Sequence, residues 1–136
     1  MPKQTRTRPV NAAQARAYVS KAEEYLSAAT SELDADRPVA ATSLAIHAGI
    51  NAADAVTGVR LGQRAAAQDH DEALLLLRTA GPDGTAVATE LARLLPMKTR
   101  AEYAPDDIPK SDASKAVERA RRIVAVARRI AAAQRS

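Results

Sequence analysis

Residues Ser43 to Ala55, reading SLAIHAGINAADA, form a long apolar stretch of strong helix formers with no Lys or Arg. Ile46, Ile50 and Ala53 keep helical spacing on one face, while His47, Asn51 and Asp54 recur at i, i+4 and i+7 on another. The pattern predicts a central helix buried nearly all round, with one polar stripe. Buried polar groups need partners, so that stripe points to an interface or a site.

Helical periodicity also marks the rest of the chain. Asn11 and Gln14 have the spacing of a capping box, and Ala15, Tyr18, Val19, Ala22, Tyr25, Leu26, Ala29 and Leu33 follow as one stripe, predicting a first helix over 11–35. Asp36-Arg37-Pro38 stops it and opens the second, which runs to about Thr57 before Gly58 and Gly62. So short a link makes the first two helices antiparallel neighbours. Asp69 and Glu72 resemble a second capping box ahead of Ala73-Leu74-Leu75-Leu76-Leu77, and Gly81-Pro82-Asp83-Gly84 closes that third helix. Thr85 to Leu95 gives a fourth helix that ends or kinks at Pro96, and the chain from Pro96 to Pro109 reads as irregular. Ser111 is placed to cap a last long helix whose apolar face is Ala113, Val117, Ala120, Ile123, Val124, Ala127, Ile130 and Ala131.

No segment alternates with period two, so the expected fold is all-α, an up-and-down bundle of four to five helices. The first, second and last helices should pack lengthwise, with the third and fourth closing one end. Residues 1–10 read as a flexible basic tail and 11–136 as a single bundle domain.

Composition narrows the function. The chain has 136 residues, no cysteine and three aromatic residues, Tyr18, Tyr25 and Tyr103. Its core must therefore be built of Ala, Leu, Val and Ile, and base stacking is a poor fit. Absence of cysteine excludes disulfides, thiolate nucleophiles and cysteine zinc sites, and fits a reducing, cytoplasmic setting. No stretch reads as membrane-spanning, and no membrane partner is expected.

Charge is unevenly spread. Residues 1–9 contribute +3 and 110–136 contribute +6 to a total of +4, so the body between them is acidic. Arg121, Arg122, Arg128 and Arg129 form two adjacent pairs seven residues apart, two turns on along one side of the last helix, a spacing that can meet successive phosphates of a nucleic acid. The plain alternative is a solvated arginine face.

Enzyme signatures are sparse. Asp69-His70-Asp71-Glu72 are consecutive, and successive helical residues point about 100° apart, too divergent for one ion. His47 has no His at i+4, and no glycine-rich phosphate loop follows a strand. No metal or cofactor is implied.

Three segments, SLAIHAGINAADAV (43–56), RLGQRAAAQDHDEALLLL (60–77) and ELARLLPMKTRAEYAP (90–105), resemble the HEPN superfamily. These are small helical domains often encoded beside minimal nucleotidyltransferases. The resemblance implies an up-and-down bundle that forms a homodimer, with a partner protein encoded nearby and RNA, DNA or a nucleotide as ligand. Catalytic members are metal-independent ribonucleases carrying an Arg, four to six residues, then a His, at a late helix in the dimer cleft. Arg100 lies in the corresponding segment, but no His follows it, so the general acid/base is missing there. Arg64 and His70 have the spacing, with five residues between them, but sit between the second and third helices.

The expectation is thus a HEPN-like module, non-catalytic, that binds or regulates in a nucleic-acid-linked system. His47, Asn51, Asp54, Arg100 and Tyr103 are its binding or interface candidates. The alternatives are a toxin-like endoribonuclease using Arg64 and His70, and a basic protein that binds nucleic acid through the four arginines of the last helix.

Overall fold

The structure, a computed structural model, describes residues 6–66 and 70–134. Asp69, expected as a helix cap, lies outside the described residues, as do the first five residues of the expected tail. Six helices occur among the described residues: α1 (Ala12–Asp34), α2 (Pro38–Leu61), α3 (His70–Arg78), α4 (Gly81–Leu94), α5 (Met97–Glu102) and α6 (Lys110–Ala133). The chain is an all-α helical bundle, with two more short elements, β1 (Thr7–Pro9) and β2 (Gln63–Ala65), paired antiparallel.

Side-chain contacts give the helix directions. Tyr25 meets His47 while Ala15 lies beside Gly58, so α1 and α2 are antiparallel. Asp83 meets Arg60 while Leu94 lies beside Gly49, and Asp83 meets Arg129 while Glu90 meets Arg119 and Arg122, so α4 runs against both α2 and α6. The bundle is therefore α1 up, α2 down, α4 up and α6 down, with α2 touching every other helix.

This corrects the expected end-closing role of the fourth helix. Gly81-Pro82-Asp83-Gly84 does not close α3 but opens α4, with Pro in the first turn where its missing N–H costs nothing. The four extra residues let α4 lie lengthwise. Its continuation α5 replaces the irregular segment expected after Pro96, because that proline adopts a helical φ of −59° and joins the two helices instead of ending them.

The Asn11 and Gln14 capping box is present in both directions, at 2.8 and 2.9 Å. Ser111, by contrast, sits in the first turn of α6, whose N-cap is Pro109. α2 also outruns its expected end at Thr57 by a turn, and the reason is packing. Gly58 is a contact glycine inside the helix, since a Cβ built there would meet Val10 Cγ1 at 2.6 Å. Gly62 is the true stop, with φ of 69°.

The β pairing was not foreseen, and three residues are too few to display alternation. Thr7 lies opposite Ala65, Arg8 opposite Arg64 and Pro9 opposite Gln63. Flanking bonds from Val10 N to Gly62 O and from Ala66 N to Arg6 O, both 2.9 Å, extend the ladder. Val10 is buried against Gly58, so the expected tail is part of the fold from Thr7 onward.

Alanine makes up about half of the buried apolar residues, which lets the helix axes approach closely. By length and composition α2 is apolar enough to cross a membrane, contrary to the expectation that no stretch would be. Here its apolar surface is spent on α1, α4 and α6.

Candidate functional site: a polar groove along the central helix

The stripe on α2 is flanked on both sides by polar side chains of neighbouring elements, which together make a shallow polar band. Tyr18 and Tyr25 of α1 make one bank, since Leu26, Val19 and Ala22 take the buried face of that helix and leave both tyrosines half-buried at its edge. The other bank is formed by Arg64 of β2, His70 of α3, and Lys98 and Glu102, which are one turn apart on α5.

His47 anchors one end of the groove. Its ring stacks on Tyr25 with centroids 5.3 Å apart and planes at 30°, and its Nε2 lies 3.7 Å from Glu102 Oε1. Protonation of the ring would turn that contact into an ion pair. One turn on, the Asn51 side-chain amide donates to the His47 carbonyl at 2.8 Å. The stripe thus satisfies part of its own demand through the backbone.

Asp54 lies near the other end, beside an apolar wall of Ala53, Ala65, Ala73, Leu76 and Leu77. Burial lifts its pKa from 3.8 to about 6, and the Arg64 guanidinium pulls in the opposite direction. Arg64 also lies over the Tyr18 ring, 5.9 Å from its centroid, and donates to the Ala65 carbonyl at 3.1 Å. On the α3 side His70 Nε2 lies 3.2 Å from Lys98 Nζ.

The site therefore brings together the carboxyl groups of Asp54, its pKa raised to about 6, and Glu102, with two imidazoles, a guanidinium, an ammonium and two phenols. Such a set can hold an anion and move a proton. Among the described residues no three His, Asp or Glu side chains converge on a metal position.

Of the residues named from sequence, His47, Asn51, Asp54, Arg64 and His70 belong to this groove. Arg100 and Tyr103 do not. Arg100 Nη1 meets Asp112 Oδ2 of α6 at 3.4 Å. Tyr103 is 75% exposed at the end of α5. Lys98 was overlooked, although its i,i+4 spacing to Glu102 is visible once the segment is read as a helix.

Each arginine of the α6 ladder meets an acid. Arg122 and Arg129 reach across to Glu90 and Asp83 of α4 at 3.2 and 2.8 Å, while Arg128 reaches the opposite way to Glu23 of α1 at 3.0 Å. Arg121 meets Glu118 of its own helix at 3.5 Å. Arg129 and Arg60 together hold Asp83 below the ordinary carboxylate range. Arg122, Arg128 and Arg129 thus join α6 to acids of the neighbouring helices, and Arg121 stays on its own helix.

No family model matches the chain, and no curated protein matches it either.

Proposed function

We propose that the chain is a HEPN-like, non-catalytic binding or regulatory module in a nucleic-acid-linked system, and that the α2 groove is its contact surface, first of all for a second copy of itself. One observation carries this reading. On the most buried helix of the bundle, the polar stripe runs from a mostly buried Asp54 to His47, whose side chain remains 42% exposed between Tyr25 and Glu102. A self-complementary contact would cover that stripe and pair its donors and acceptors. The cysteine-free composition suits work in a reducing cytoplasm.

Sedimentation velocity at tens of micromolar tests the contact. Wild type should run as a dimer, and Glu102→Arg should run as a monomer with unchanged helix content. A monomeric wild type overturns the self-contact.

A ribonuclease is the second reading, favoured by Arg64 close to the carboxyl group of Asp54 and by His70 beside Lys98. Incubation with RNA separates the two. No cleavage is expected. Cleavage abolished by both Arg64→Ala and His70→Ala, with folding retained, would replace the first reading by the second.

A further inference from the structure

On the other side of α5, between α4, α5 and α6, lies a cleft of about 180 Å³. Arg93, Arg100, Lys115 and Arg119 surround it, and Leu94 and Met97 form part of its wall. Three helices contribute the four cations, so they converge on a concavity and do not spread along one solvated helix face.

The acids facing them are too few. Asp112 meets Arg100 at 3.4 Å. Glu90 meets Arg119 at 3.4 Å and must also serve Arg122 at 3.2 Å. Arg93 and Lys115 have no carboxylate partner among the described residues. Four cations against two carboxylates leave a surplus of positive charge, and an apolar wall strengthens its field.

The pairs are also loose. Contacts of 3.4 Å exceed the roughly 2.7–2.9 Å of a tight charge-assisted hydrogen bond. The clamp on Asp83, at 2.7 and 2.8 Å, reaches that tight range on the same molecule. Donors held at long range by shared acids can be recruited by a better acceptor.

We propose that this cleft binds the phosphate group of a phosphate ester. Phosphoryl oxygens face Arg93, Arg100, Lys115 and Arg119, and the adjoining organic part lies against Leu94 and Met97. The volume falls below the roughly 300 Å³ of a small-molecule pocket, so the cleft takes the phosphoryl end and leaves the rest of the ligand outside. Such a group comes from a free nucleotide or from the end of a nucleic acid chain. The proposal is independent of the α2 groove, since none of its residues lies there.

Isothermal titration of the full chain with AMP, and in a second arm with a 5′-phosphorylated oligoribonucleotide, tests it. The cleft variant Arg93→Gln, Lys115→Gln is compared with Arg121→Gln, Arg128→Gln, which removes the same charge from the outer face. The cleft variant should lose about tenfold or more in affinity, as expected for the loss of charged contacts, and the control about twofold or less. Binding of AMP identifies a free nucleotide as a sufficient source, and cleft-dependent binding of the oligonucleotide alone identifies the chain end. Equal losses in the two variants, or no binding of either ligand by wild type at low salt, would overturn the proposal. Melting curves of both variants establish that each is folded.

Discussion

Asp54 shows how much one position can carry. Its native pKa of about 6 lies above the 3.8 of an ordinary aspartate, so between those values the folded chain keeps a proton that the unfolded chain has released. Stability then falls as pH rises through that window, and the full cost is present above it. The difference between the folded and the ordinary value corresponds to roughly 3 kcal/mol. Asp54→Asn should therefore melt at a higher temperature than wild type near neutral pH, with the gain vanishing as pH falls below the ordinary aspartate value. No gain at neutral pH would mean that the attraction of Arg64 outweighs burial. The sequence showed the stripe to which Asp54 belongs, because helical spacing puts His47, Asn51 and Asp54 on one line. It did not show Arg64 beside Asp54, which depends on how the chain turns back after Gly62, or Tyr25 against His47, which depends on how α1 packs on α2.

At the scale of elements, legibility depended on whether a residue acts locally. The box of Asn11 and Gln14 is a contact between near neighbours, and it was readable. Glycine was harder, because two glycines four residues apart do different things. Gly58 makes room for Val10, whereas Gly62 supplies a left-handed turn. Gly58→Ala should cost about 1–3 kcal/mol by overpacking Val10 and loosening β1. Gly62→Ala should cost roughly 1–2 kcal/mol through the backbone alone, with the contact of Val10 left in place. Thermal unfolding gives the magnitudes, and the NMR shifts of Val10 tell the two effects apart. If both variants leave Val10 undisturbed, the contact glycine has been misread. The helical role of Pro96 and of Gly81 to Gly84 was hidden for a similar reason: Pro and Gly punctuate either end of a helix, and only packing against α2 and α6 decides which.

Over the whole molecule, the all-α bundle and the apolar faces of α1, α2 and α6 followed from periodicity, but the seams did not. The +6 of residues 110–136 read as a free basic face, and the structure pairs much of it, at the surface, with acids on α1 and α4. Replacing Arg121, Arg122, Arg128 and Arg129 with alanine should lower the melting temperature, most clearly at low salt, where such pairs are least screened. It should also leave the salt dependence of duplex DNA binding little changed. A logarithmic salt slope reduced by about 0.9 for each arginine removed would instead make the ladder a direct phosphate contact.

The register of β1 and β2 has a consequence of the opposite sign. Arg8 faces Arg64 across the ladder, and like charges placed opposite each other weaken a strand pair. The seams on α6 join unlike charges, so added electrolyte relaxes them, while the same electrolyte relieves the repulsion at the clasp. One solvent variable thus moves the two ends of the molecule's stability in contrary directions. Amide exchange would record it as growing protection of Val10 and Ala66 under the very conditions that loosen α6.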